Sequence, residues 1–331
     1  MNVRIKWLCI VCLMNIFWSM PVSSMPAFPG DISYVQPDGT IVKYKLKGDE
    51  HCHWFESLDG HILKKADNGY LVYAQEADAR VVASAIPYTG NDSQAAGRIK
   101  LLDRQLMMKL KKSQTSNNLQ IEGTFPTTGR RKLLMLLVNF ADTQVTFGRD
   151  DFERMMNEEN YQGTGSFRDF YLENSYGQLD VETTVVGWIQ LSKNKNMYST
   201  ENMTEIISEA LSKVQGEIDF SQFDNDGDGE LDGLSIIHQG TGREVTGSTN
   251  DIWSHSGELF DILVDNIQVR TYTIQPELLF NVPMLSMMTV GVFCHEFGHN
   301  LGAPDYYDVD YEQNGSYLGS GSGYFKPLII D

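Results

Sequence analysis

Four side chains near the end of this chain have the types and spacing to bind a metal ion and use it. In the stretch HEFGHNLGAPDYYD, from His295 to Asp308, His295 and His299 stand four residues apart. On a helix that spacing puts both imidazoles on one face, where they can hold one zinc ion. Glu296 follows the first histidine, where a carboxylate can take a proton from water at the metal. Gly302 permits a sharp exit from the helix, and Asp305 beyond it is the expected third ligand. A histidine pair on a helix also arises from packing alone, but the extension to HExxHxxGxxD weighs against that. A glutamate from a later helix is the competing arrangement. The only glutamate after His299 is Glu312, in a loop-like stretch close by, so Asp305 is preferred.

A second set of candidate ligands lies upstream, in a stretch that is acidic and turn-like. Asp224, Asp226, Asp228 and Asp232 occupy positions 1, 3, 5 and 9 of a calcium-type loop, Gly229 supplies the turn at position 6, and the Glu230 carbonyl is available at position 7. Position 12 of an EF-hand is glutamate, whereas Ser235 stands here. The expectation is a Ca²⁺ site outside a true EF-hand, against the plainer reading of a solvated acidic turn.

The elements that would carry these groups follow from local pattern. Thr289 or Val290 opens the helix bearing the histidines. Leu133 to Phe140 (LLMLLVNF) is almost continuously apolar, as suits a central strand buried on both faces. Asp151 to Asn157, Ser166 to Asn174 and Thr204 to Val214 read as helices and Leu179 to Ile189 as a strand. Before them, from Pro26 to about Tyr88, short runs (Ile41 to Leu46, Gly60 to Lys64, Gly69 to Ala74) alternate with turn residues at Pro37-Asp38-Gly39, Gly48-Asp49, Asp59-Gly60 and Asp67-Asn68-Gly69. This predicts a small antiparallel β domain. Residues 97 to 112 read as a basic helix, and SQTSNN after it as an exposed linker.

Composition bounds the partners. The 331 residues carry 44 acidic and 26 basic side chains, a net charge of −18, which repels phosphate backbones and disfavours a nucleic-acid partner. Residues 1 to 24 read as a signal peptide, with Arg4 and Lys6 ahead of an apolar run and Val22-Ser23-Ser24 as the cleavage region. Its removal takes away those two positive charges and deepens the balance to −20. Secretion or a periplasmic location follows, with no membrane insertion after processing. Cys9 and Cys12 fall in that segment, so Cys52 and Cys294 remain and no disulfide framework is expected.

Five segments in order, LLMLLVNFAD, GSFRDFYLENSYGQL, FDNDGDGELDGL, DIWSH and HEFGHNLGAPDYYD, resemble the immune inhibitor A family of secreted zinc metalloproteases, a metzincin-like group, over about 130 to 320. The resemblance implies an α+β chain: a β-rich pro-domain (25–115, ending in a helix), a linker (116–129) and a catalytic domain with a mixed sheet and a zinc-binding helix (130–331). It also implies a zymogen, expected to be a monomer, whose substrate is a protein or peptide. Its implied activity is peptide-bond hydrolysis by a zinc endopeptidase with His295, His299 and Asp305 as ligands and Glu296 as general base. His51, Cys52, His53 and the Asp49-Glu50 carboxylates are candidates for holding the zymogen latent, and cuts between Lys112 and Arg131, the dibasic Arg130-Arg131 among them, for releasing it.

Three smaller readings complete the set. Cys294 is expected to be a core thiol pointing away from the metal, His255 either supports the site or packs beside Trp253, and Arg168, Asp169 and Glu173 form a solvated or salt-bridged helix face. The family resembled continues to a Met-containing turn under the zinc, whereas the last methionine here is Met288 and residues 320–331 follow GSYLG directly. A shortened C-terminal subdomain is therefore expected, and with it the alternative of a catalytically impaired, metal-binding remnant.

Overall fold

The structure, a computed structural model, describes residues 27, 30–48, 53–77, 80–90, 102, 123–280 and 285–303. The signal segment, the helix expected over 97–112 apart from Leu102, residues 49–52 and everything from Pro304 on, Asp305 included, lie outside the described residues.

The amino-terminal strands β1 (Asp31–Val35), β2 (Ile41–Gly48), β3 (His53–Ser57), β4 (Ile62–Lys65), β5 (Leu71–Ala77) and β6 (Arg80–Pro87) form one antiparallel sheet in chain order. Three of the expected turns connect them, each closed by a glycine N–H: Gly39 to the Gln36 carbonyl, Gly60 to Ser57 and Gly69 to Ala66. Those glycines have φ near +90°, a conformation that glycine adopts without the steric cost of a Cβ. The expected runs cover β2, β4 and β5 but not β1, β3 or β6; in β3, HWFES offers no clean alternation. It forms because Trp54 and Phe55 can pack on opposite faces of the sheet.

The second sheet is mixed. Strands β7 (Gly129–Asn139), β8 (Leu179–Gln190), β10 (Leu234–Thr241), β11 (His255–Val264) and β12 (Ile267–Phe280) lie in the order β11-β12-β10-β7-β8, and short β9 (Glu230–Leu231) and β13 (Ser286–Met287) also pair with β12. β7 runs parallel to both β8 and β10. Its apolar run divides by parity: Leu134, Leu136 and Val138 enter one core, Leu133, Met135 and Leu137 the other. That division is why the run shows no amphipathic alternation.

Helices cover both faces. α1 (Arg149–Asn157) and α2 (Phe167–Asn174) pack with the zinc-motif helix on one side, and α3 (Thr204–Val214) covers the other with Ile206, Ile207, Ala210, Leu211 and Val214. Ser166 caps α2 by accepting the Asp169 N–H, while the Asp169 carboxylate accepts the Ser166 N–H in return. Asp169 is thus a capping residue rather than a solvated one, and Arg168 forms a two-pronged pair with Asp180, whose carboxyl is held below its usual range by that guanidinium.

The two sheets meet at Trp253, which is buried among Ala27 and Leu46 with Ile32 and Phe55 against it. His53 stacks on its indole with ring centroids 4.6 Å apart.

Candidate metal centre

The helix that carries HEFGH, α5 (Val290–Asn300), follows the short Arg243–Thr246 helix α4 and begins after Thr289, as its sequence signals predict. Its tight seat is aromatic. Phe297 meets Phe125, Phe167 and Tyr171 at centroid distances of 4.7, 5.2 and 5.1 Å. Burying one such ring contributes on the order of 2–3 kcal/mol. The Tyr171 hydroxyl donates to the Cys294 carbonyl at 2.6 Å, tying α2 to the middle of α5. Cys294 itself is a buried free thiol within this core, and burial pushes its pKa well above the ordinary value, which leaves it unreactive.

His295, Glu296 and His299 come together on the other side of the helix. Each offers a ligand atom, and these atoms lie within 4.8 Å of one another. The two imidazole centroids are 4.8 Å apart with planes at 80°. His295 and Glu296 are buried and His299 is half-buried. The His299 Nδ1 is 2.8 Å from the Ala303 carbonyl oxygen, which makes Nδ1 the N–H donor and leaves the Nε2 lone pair for a metal. The exit turn is tight: the Gly302 N–H donates to the His299 carbonyl, the Ala303 N–H to that of Gly298, and Gly302 has φ +83°.

The acidic loop is built differently. The Asp224 carboxylate accepts the N–H groups of Gly227, Asp228 and Gly229 at 2.7, 3.1 and 3.0 Å. Asp232 is buried, accepts the Asn225 N–H at 2.5 Å, and has its carboxyl pushed up to about 6, chiefly by burial. Oxygens of Asp224, Asp226 and Asp232 lie within 4.8 Å of one another. The Asp228 and Glu230 side chains are engaged elsewhere. Asp228 accepts the Glu230 N–H at 2.8 Å, and Glu230 pairs with Arg270 at 2.9 Å.

Other expected residues have local roles. His255 uses Nδ1 on the Trp253 carbonyl and Nε2 on the Tyr272 hydroxyl, within the β11–β12 pair. Arg130 and Arg131 lie in β7, where they contact Glu182 and the Asn225 carbonyl. Two further features escaped the sequence. Buried Glu277 accepts the Thr146, Phe147 and Gly240 N–H groups and so fixes the loop after β7. Residues 123–125, expected in the linker, pack against α5. Neither carries a local pattern, because the partners lie more than 100 positions away along the chain or belong to backbone.

Residues 127–323 match the family described as immune inhibitor A peptidase M6, catalytic domain. The chain belongs to that family. Within the M6 relatives it is 28% identical over 244 residues to immune inhibitor A of Bacillus thuringiensis subsp. alesti, covering 56% of this chain and 34% of that protein. To the pre-pro-metalloprotease PrtV of Vibrio cholerae serotype O1 (strain M66-2) it is 26% identical over 244 residues, covering 56% of this chain and 26% of that one. The chain thus matches about a third of the first relative's length and about a quarter of the second's. A solved structure, metalloproteinase-II from Bacteroides fragilis, covers 80% of this chain and 77% of its own at 13% identity, but its TM-score of 0.26 gives no basis for a fold argument.

Proposed function

We propose that this M6 chain is a secreted zinc endopeptidase, made as a zymogen, that hydrolyses peptide bonds in proteins or peptides. The observation that carries the reading is the clustering of the His295, Glu296 and His299 ligand atoms within 4.8 Å on one buried helix. The donor set fits zinc: two imidazoles at i and i+4, one with its tautomer held by the Ala303 carbonyl. Asp305 is proposed as the third donor, on the spacing of the motif alone. Bound there, zinc supplies a Lewis acid that acidifies water and polarises the scissile carbonyl. Glu296 takes the proton of the attacking water and returns it to the leaving amine. His295 and His299 hold their nitrogens on one side of α5, while Phe297 seats the helix through its contacts with Phe125, Phe167 and Tyr171.

The amino-terminal sheet is proposed as the pro-domain, with residues 1 to 24 directing export. Among the described residues, no helix is long and apolar enough to cross a membrane. Asp224, Asp226 and Asp232 are proposed as calcium donors, because three carboxylates within 4.8 Å repel one another unless a divalent cation or protons offset their charge.

Hydrolysis of a general protein substrate by the activated wild type and by Glu296→Gln tests the enzyme reading. The expected loss is about 10²–10⁴-fold with zinc retained. Equal rates in both would overturn the role of Glu296, and zinc-loaded wild type with no hydrolysis at all would favour the impaired remnant instead.

A further inference from the structure

Residues 123–125 make three contacts that converge on the end of α5, from a part of the chain about 175 positions away. The Phe125 N–H donates to the Asn300 carbonyl at 3.0 Å, satisfying one of the carbonyls that a helix leaves open at its C-terminus. The Phe125 ring lies edge-on to Phe297, and on its other flank stands Gly233, where a Cβ would come within 3.0 Å of it. Gly123 lies against the exit turn itself. A Cβ added there would sit 2.7 Å from the Leu301 carbonyl carbon and 2.8 Å from the Gly302 nitrogen, both backbone atoms that cannot swing aside. Between them, the Thr124 hydroxyl donates to the Asp232 carbonyl at 3.1 Å and is 3.1 Å from the Thr271 hydroxyl.

We propose that Gly123–Phe125 is a positioning brace for the zinc helix, holding the His299–Gly302 exit turn against Asp232–Gly233 and β12. The inference rests on the zinc reading above and deepens it. The exit turn fixes the His299 tautomer, through the Ala303 carbonyl, and the direction in which the chain leaves α5. Whatever seats that turn therefore sets how well the ligands are arranged. Arg130 and Arg131 lie C-terminal to the brace, so a cut at that dibasic pair separates it from the catalytic domain. The brace belongs to the mature enzyme, and activation spares the bond between Phe125 and the domain that follows.

The test uses the full chain with Gly123→Ala, Thr124→Val and Thr124→Ser. Amide hydrogen exchange is read in the metal-free protein, and the rate of zinc loss to a chelator in the loaded one. Gly123→Ala is expected to speed exchange at Leu301, Gly302 and Ala303 and the loss of zinc by about tenfold each, with β8 and the amino-terminal sheet unchanged. Thr124→Val is expected to act in the same direction, and Thr124→Ser to restore wild-type values. Unchanged exchange and zinc loss in Gly123→Ala would overturn the brace, as would equal behaviour of Thr124→Val and Thr124→Ser. Should Gly123→Ala fail to fold, the two Thr124 variants decide alone. A wild type that takes up no zinc sinks the zinc reading, while the exchange comparison still judges the brace.

Discussion

Two regions of this chain gather groups suited to a divalent cation, and they do so by opposite physical means. The acidic loop after α3 is wired largely to itself: Asp224 collects three backbone N–H groups from within the loop, and of its three clustered carboxylates only that of Asp232 is buried. The histidine pair on α5 depends on residues far away, since Phe125, Phe167 and Tyr171 seat Phe297 and so aim the opposite face of the helix. A turn that satisfies its own hydrogen bonds needs little support from the core. A helix must be packed before its functional face points anywhere. His238 sharpens the contrast. It is a fully buried imidazole in β10, belongs to neither metal-ligating group among the described residues, and has its pKa pushed down to about 3, chiefly by burial.

The comparison can be broken by experiment. The largest effect is expected from His299→Ala, which should weaken zinc binding by at least about 1,000-fold while leaving any calcium-dependent rise in melting temperature intact. If that calcium response also vanished, the two regions would not be independent. The next concerns His238. Between about 6.5 and 3 the unfolded chain binds a proton there that the folded chain refuses, so stability is retained above 6.5 and lost as the pH falls through this window, by about 5 kcal/mol at most. Urea unfolding of His238→Gln at pH 7 and pH 4 should show a smaller loss than the wild type.

Asp232 should act with the opposite sign. Its folded pKa is raised from 3.8 to about 6, so the folded metal-free chain keeps a proton that the unfolded chain has released, and stability falls as pH rises from about 4 to 6. Asp232→Asn should flatten that fall in chelator-treated protein and remove the stabilisation by added Ca²⁺. The smallest effect is expected from Asp228→Asn, within about 0.5 kcal/mol of wild type and with the calcium response largely kept, since that carboxylate lies outside the cluster. A calcium response lost in Asp228→Asn but kept in Asp232→Asn would reverse the assignment of donors.

Much of the fold was legible because its signals are local. The 3.6-residue period of Thr204–Val214, the Ser166 cap of α2 and the aspartate–glycine turns of the first sheet each arise from interactions within a few positions. The HExxH spacing belongs to the same class, since one helical turn brings His295 and His299 together whatever surrounds them. The acidic loop was half legible. Its spacing marked five candidates, Glu230 through its backbone carbonyl, but not that the carboxylates of Asp224, Asp226 and Asp232 would be the ones to cluster, a grouping that depends on the burial of Asp232.

By itself, then, the sequence determined which side chains have the chemistry for a metal and which short elements carry them, because helix period, caps and turn glycines act over one or two turns of chain. Tertiary structure alone decided that β7 lies between β8 and β10, that Trp253 is the meeting point of the two sheets, that burial raises the Asp232 carboxyl to about 6, and that residues 123–125 brace the exit of α5. The reason is common to all four. Each depends on burial or on a hydrogen bond between groups far apart in the chain, and no local spacing encodes which distant backbone carbonyl will need a donor.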